Sequence, residues 1–171
     1  MNFEPALSLV SYGLYVVSSH DGEKLNGQIV NTVFQVTASP AQVAVAINKK
    51  NLTHDYVSKS GVFSVSVLSE ETPLKFIGLF GFRSGRDADK FASARYKPGE
   101  TGSPVLLDYS LAAFEARVRQ TVDAGTHTLF IGEVSGGEVF SGGKPMTYEF
   151  YRVALRGKTP AGATTYQGEM K

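Results

Sequence analysis

The chain reads as a mainly β protein, an antiparallel barrel with a few accessory helices. Three observations predict this. Six or more runs rich in Val, Ile, Thr, Phe and Tyr recur at short spacing, each bounded by Gly, Pro, Asn, Asp or Ser. Only two stretches carry convincing helix signals. Long helices do not alternate with the strands, which argues against a doubly wound α/β fold. With 171 residues, 42% of them hydrophobic and 19% charged, the chain suits one globular unit with a real core.

The elements follow in order. Residues 13–19 (GLYVVSS) are β-rich, and His20, Asp21, Gly22 and Glu23 signal a turn. Residues 28–37 (QIVNTVFQVT) read as a second strand, closed by the Ser39-Pro40 turn. Residues 42–47 (QVAVAI) are a short apolar strand. Residues 51–60 form a helix, with Asn51 as its N-cap, Tyr56 and Val57 inward, and Gly61 as its stop. Residues 62–68 (VFSVSVL) read as a strand with one buried face. Thr72-Pro73 opens a second helix over residues 74–80. Residues 81–91 (GFRSGRDADKF) are a polar loop, and residues 96–104 are irregular. Strands return at 112–122, 128–134 and 146–155, the last two separated by the glycine-rich turn SGGEVFSGGKP. Residues 157–171 read as an extended tail of a single domain spanning 1–171.

Composition excludes whole classes. Seventeen basic residues against 16 acidic leave a formal charge of +1, with no pull toward nucleic acid or an anionic membrane. No apolar stretch approaches the ~18 residues of a membrane helix. The N-terminus carries Glu4 and Pro5 without a basic segment, so it does not read as a signal peptide, and a cytoplasmic protein is expected. The absence of cysteine removes disulfides, iron–sulfur clusters and thiolate metal sites. His20, His54 and His127 lack the i, i+4 spacing of a helical zinc pair, so no metal site is expected. Redox chemistry here would have to rest on an organic cofactor.

Three places could carry chemistry. The helix beginning at Asn51 and Thr53 offers amide donors and a dipole to an anion, although ordinary caps use the same residues. Arg83, Ser84, Arg86 and Lys90 gather three cations and a hydroxyl in one loop, as a phosphate site or a solvated surface would. His127 opens a strand, where a lone histidine is usually structural, and no Ser–His–Asp order follows from spacing. Residues 137–144 (GEVFSGGK) miss the phosphate-loop spacing, and Pro145 stands where Ser or Thr should bind magnesium.

Four segments resemble the flavin reductase-like family of FMN-binding split barrels, in the branch of flavoredoxins and the flavin domains of high-molecular-weight rubredoxins. They are residues 26–40 (NGQIVNTVFQVTASP), 45–68 (VAINKKNLTHDYVSKSGVFSVSVL), the FRSGRDADKF loop, and THTLFIGEV with the closing GKTPAGATTY. The resemblance covers most of the chain. It implies an antiparallel Greek-key split β-barrel that pairs as a homodimer, with FMN at the interface and NADH or NADPH as donor. Carried over by position, Asn26, Asn31, Thr32, Val33, Phe34 and Gln35 would line the isoalloxazine ring. Asn48, Asn51 and Thr53 would sit near the ribityl chain and phosphate, and Arg83, Ser84 and Lys90 would complete a phosphate clamp. His127 would stand near the ring or the nicotinamide path, and Phe150 or Tyr151 could cover the ring. Thr32 and Val33 replace an aromatic residue of some relatives, and Thr126 precedes the histidine where many relatives have an acid.

The implied activity is that of an NAD(P)H:flavin oxidoreductase or a flavoredoxin-like electron-transfer protein. Hydride passes from nicotinamide to flavin N5 when the rings stack, and no side chain is essential, with His127 the one candidate. A rubredoxin-type protein is the implied acceptor in some branches. Two further readings stay open: an FMN carrier reduced by a partner protein, and a non-redox ligand-binding dimer.

Overall fold

The computed structural model describes residues 3–166. In chain order the strands are β1 (Tyr15–His20), β2 (Leu25–Val30), β3 (Val33–Ala38), β4 (Ala41–Asn48), β5 (Val62–Leu68), β6 (Tyr96–Pro98), β7 (Pro104–Leu106), β8 (Ser110–Ala124) and β9 (His127–Val139). The helices are α1 (Glu4–Leu7), α2 (Leu52–Ser60), α3 (Leu74–Gly81) and α4 (Tyr148–Val153). Seven strands pair antiparallel in the order β2-β1-β5-β8-β9-β4-β3, and β6 pairs with β7.

The two outermost strands of the large sheet, β2 and β3, are consecutive in the chain. Only Asn31 and Thr32 separate them. The sheet must therefore curl until its edges meet at this link, where the Ala46 amide donates to the Thr32 carbonyl at 3.2 Å. Among the described residues β2 pairs only with β1, and β3 only with β4. The barrel is thus split along these edges. Register shifts at residues 115/116 and 118/120 of β8 give the long β8–β9 hairpin the bends that curling requires.

Successive side chains of β1 leave on opposite faces, and both faces are buried. Val17 joins the barrel interior with Val45, Ile47, Phe63, Val65 and Phe130. Val16 joins an outer cluster with Leu14, Phe76, Ile77, Phe80 and Tyr151. The outer cluster exists because α3 presents Phe76, Ile77 and Phe80 to it. Burying each such side chain is worth about 1.5–3 kcal/mol. Helix α2 closes one end with Tyr56 and Val57, and Gly61 ends it in the left-handed region at φ 70°, with its amide on the Val57 carbonyl.

Six expectations change. Strand β5 is buried on both faces rather than one, Ser64 and Ser66 as fully as Phe63 and Val65. Residues 28–37 are not one strand, because the polar pair Asn31-Thr32 breaks them into β2 and β3 at opposite sheet ends. Residues 96–104 are not irregular throughout: they hold β6 and its loop to β7, pinned by the buried Glu115 carboxylate, which accepts from the amides of Glu100 and Thr101 and from the Thr101 hydroxyl. The glycine-rich turn begins later than expected, since β9 runs on to Val139. Residues 146–155 contain no strand: the Thr147 hydroxyl accepts from the Phe150 amide at 3.0 Å and caps helix α4. Residues 158–165 do not extend away as a tail; they fold back over the barrel split. The remainder of that expected tail, residues 167–171, lies outside the described residues.

Candidate functional site

A narrow groove follows the barrel split, with about 50 Å³ of free space inside it. Leu14, Val30 and Ile77 give it apolar walls. Gln28 and Asn31 line it from β2 and the link, Ala46 and Asn48 from β4, His127 from β9, and Tyr148 and Tyr151 from α4. The edges that fail to pair are thus what bring amide side chains to one opening.

Residues 158–165 lie across this groove as a strap. Asn31 Nδ2 donates to Thr165 Oγ1 at 2.8 Å, and Asn48 Nδ2 to the Gly162 carbonyl at 3.1 Å. The hydroxyls of Thr32 and Thr164 lie 3.1 Å apart. At the other end Tyr151 Oη donates to the Lys158 carbonyl at 2.7 Å, and the hydroxyls of Tyr148 and Thr159 share a hydrogen bond. Gly157 turns against the Tyr151 ring, where a Cβ would fall 2.1 Å from ring atoms. Tyr151 is buried, and burial pushes its phenol up.

Gln28 Oε1 and His127 Nε2 are buried on groove-lining residues; the first has no partner, and the His127 ring is held against the strap by the Gly162 backbone. The other ring nitrogen of His127, Nδ1, meets the Thr126 hydroxyl at 2.9 Å. Burial lowers the imidazole pKa, a pull that the Gly162 backbone opposes. At neutral pH the ring is therefore held toward its uncharged form.

Beside the groove lies a tightly packed corner. Asn26 Nδ2 donates to Thr53 Oγ1 at 2.9 Å, both residues buried. Gly85 lies against them, since a Cβ there would fall 2.1 Å from Asn26 Oδ1. Lys90 is 3% exposed, and its Nζ donates to the carbonyl of Gly27 at 2.8 Å and of Phe80 at 3.4 Å. Desolvation brings its pKa from 10.5 down to about 8. Arg86 pairs with Asp55 at 2.8 Å, and Ser84 Oγ accepts from the Arg86 amide. Arg83 is exposed.

The structure gathers Asn31, Asn48, His127 and Tyr151 in the groove, with Thr32 at its rim through Thr164. Asn51 sits near the strap, its Oδ1 3.8 Å from where a Gly162 Cβ would be, and its side chain makes no cap bond. Asn26, Thr53 and Lys90 form the packed corner, with Arg83 and Ser84 on the exposed loop above. Val33, Phe34 and Gln35 do not line the groove: they run along edge strand β3, where Phe34 is 53% exposed. Sequence reasoning missed Gln28, Tyr148 and the strap. Gln28 shares a strand face with Asn26 and Val30, so a polar residue alternating with buried neighbours was the available signal.

The family described as "Flavin reductase like domain" matches residues 7–157. A high molecular weight rubredoxin of Moorella thermoacetica is 50% identical over 161 residues, covering 94% of this chain and 70% of that protein. A ferric-chelate reductase (NAD(P)H) of Archaeoglobus fulgidus is 48% identical over 157 residues, covering 92% of this chain and 93% of that protein. The crystal structure of an FMN-binding protein from Thermus thermophilus, with bound p-hydroxybenzaldehyde, superposes with a TM-score of 0.70 at 27% identity, covering 77% of this chain and 73% of that one. No helix among the described residues is long and apolar enough to cross a membrane. A family match over most of the chain, relatives near half identity and a split barrel with a groove along its open edges agree: the chain belongs to the flavin reductase-like family.

Proposed function

We propose that this protein is an NAD(P)H:flavin oxidoreductase that holds FMN in the groove along the barrel split. The observation that carries the reading is the groove itself, with apolar walls and a rim of amide and hydroxyl groups from Asn31, Thr32 and Asn48. That arrangement fits a flat heteroaromatic ring with a hydrogen-bonding edge. The buried, unpartnered Gln28 Oε1 on its lining fits a ligand of the same kind. The names of the Thermus and Archaeoglobus proteins supply FMN and NAD(P)H.

FMN held there would accept a hydride from the reduced nicotinamide and pass the electrons to an acceptor. The chain's residues bind, orient and exclude water. Asn31 and Asn48 offer amides to the groove, Asn51 lies near the strap, and the exposed Arg83 and Ser84 would offer charge and a hydroxyl to the phosphate. Asn26, Thr53 and Lys90 brace that loop from beneath. Tyr151 and residues 158–165 shield the groove from solvent. His127, whose burial favours the uncharged ring, is a hydrogen-bonding group rather than an acid in this reading.

The acceptor in this reading is a rubredoxin-type iron protein, supported by the name of the Moorella relative. Two copies of the chain form the working unit. Strand β3 carries Phe34 and Val36, 53% and 43% exposed, and a second copy would cover them and bring Val33, Phe34 and Gln35 to its neighbour's groove. Residues 1–171 act as one unit, because the strap completes the groove, and a cytoplasmic setting supplies the nicotinamide.

The test is titration of the purified protein with FMN, then anaerobic NADH or NADPH. We expect flavin binding and bleaching of its visible bands by one of the two. Absence of flavin binding would overturn the proposal. Bleaching by a reduced partner protein alone would leave an FMN carrier. For the dimer, Phe34→Glu should shift the light-scattering mass from two copies to one; a wild type already monomeric removes that part.

A further inference from the structure

Lys49, Arg86, Arg95, Lys97 and Arg119 each pair with a carboxylate. The outer side of α4 and the start of the strap differ. Residues 144–158 hold Lys144, Arg152, Arg156 and Lys158 against Glu149 alone, in a chain of 17 cations and 16 acids. All four cations are exposed, and among the described residues no carboxylate pairs with any of them. Arg152 Nη1 donates instead to the neutral Thr159 Oγ1 at 3.0 Å. Between Arg152 and Arg156 in the chain, Val153 is 73% exposed and gives the patch an apolar centre.

Arg156 stands at φ 52°, in the left-handed region that favours glycine. Glycine would hold that turn with less strain, so an arginine there points to a use for its charge at the surface. The patch also adjoins the groove. Tyr148 and Tyr151, on the same helix, line the groove with ring centroids 6.1 Å apart, and Lys158 is both exposed and a groove-lining residue. A partner on the outer side of α4 therefore sits one helix diameter from the groove, about 10–12 Å.

We propose that this patch docks an acidic one-electron carrier protein, which takes its electrons from the groove across α4; this rests on the groove being the flavin site. Cations around an apolar centre complement a partner whose redox group lies under an acidic surface. A second copy is the poorer occupant, because a two-fold contact on this patch would set like charges against each other. Electron transfer needs short separation rather than contact, so residues 158–165 can stay across the groove while the partner docks outside. One NAD(P)H and two ferric partners give NAD(P)+, one proton and two ferrous partners. Each hydride thus serves two dockings in turn, one electron at a time.

The probe is a purified, oxidised rubredoxin of net negative charge, reduced by the FMN-loaded protein with NADH or NADPH as donor. Menadione, small and neutral, is the comparison acceptor. Wild type, Val153→Glu, Arg156→Glu, Arg156→Gly and the charge control Lys59→Glu are assayed, and thermal melts confirm that each folds. Val153→Glu and Arg156→Glu should each raise the rubredoxin KM about 5-fold, with menadione reduction unchanged and Lys59→Glu like wild type. Arg156→Gly should hold or raise the thermal midpoint yet weaken rubredoxin reduction, which loss of a merely structural arginine would not do. Added salt should slow rubredoxin reduction by wild type more than by Arg156→Glu. An unchanged rubredoxin KM in both glutamate variants overturns the docking surface and leaves the flavin reading standing, as does a wild type that reduces menadione but not rubredoxin. A light-scattering mass that halves in Arg156→Glu gives the patch to a second copy and overturns the proposal too. A wild type that binds no flavin overturns the flavin reading and the docking surface with it.

Discussion

Replacing Lys90 with methionine should remove a pH dependence of stability that the wild-type protein carries. Lys90 is 3% exposed, donates to the carbonyls of Gly27 and Phe80, and is held near pKa 8 by desolvation. Its folded pKa lies below its unfolded value of 10.5, so between those two values the unfolded chain binds more protons. Stability therefore rises with pH through that window and is lost as pH falls from 10.5 to about 8. At about 1.4 kcal/mol per pH unit, the full span is about 3 kcal/mol. Methionine has similar length and no charge, but it leaves the Gly27 and Phe80 carbonyls without this donor. That loss costs about 1–3 kcal/mol and does not vary with pH. It displaces the variant's curve without adding slope. The assay is urea unfolding of both proteins from about pH 7 to about pH 10.5. Subtracting the variant cancels the tyrosines and other lysines. The wild type should gain about 3 kcal/mol on the variant across that range. Parallel curves would refute the reasoning, because they would mean that Lys90 titrates alike in the folded and unfolded states. Repeating the series with FMN tests the phosphate end of the proposed site. A dianion against Lys90 would raise its pKa and flatten the slope, whereas an unchanged slope would place the phosphate elsewhere.

Two further outcomes follow from the packing. Gly132→Ala should lower stability by about 1–3 kcal/mol, since its Cβ would fall 2.8 Å from a Phe63 ring carbon and 2.9 Å from the Ala116 Cβ; an unaltered thermal midpoint would show that the barrel interior yields there. Truncation after Gly157 removes the strap and should speed FMN association about 10-fold in stopped-flow mixing, because closing segments of this kind gate entry; equal rates would show that the groove is open without strap movement.

What was legible in the sequence follows period and punctuation. Helix α2 was readable because Asn51, Tyr56-Val57 and Gly61 mark its start, its inner face and its left-handed stop. Strand β5 was readable because VFSVSVL alternates, but its second face is buried too: Phe63 and Val65 fill the barrel, while the Ser64 and Ser66 hydroxyls donate to the carbonyls of Pro104 and Leu106. Helix α4 was missed because a short aromatic run carries β propensity. The deciding signals were smaller: the Thr147 cap, and Tyr148 and Tyr151 three apart with ring centroids 6.1 Å from each other.

The misreading of residues 28–37 has the most to do with function. One ten-residue strand and two shorter strands joined by Asn31-Thr32 share the same composition and the same alternation. Local pattern cannot separate them, because the break is not made locally. Asn31 is buried, and its amide finds a partner in the Thr165 hydroxyl, 134 positions along the chain. Thr32 likewise meets Thr164, and its carbonyl takes the Ala46 amide across the closing edge. An asparagine inside an uninterrupted strand needs a dedicated partner, as Asn26 has in Thr53, since the residue is depleted on pleated surfaces. At a seam it has two uses: it ends one strand, and it offers an amide to whatever lies across the opening. In this structure that is the strap. In the proposed function the same amide faces the flavin side of the groove, so the residue that breaks the local pattern is also one the site requires.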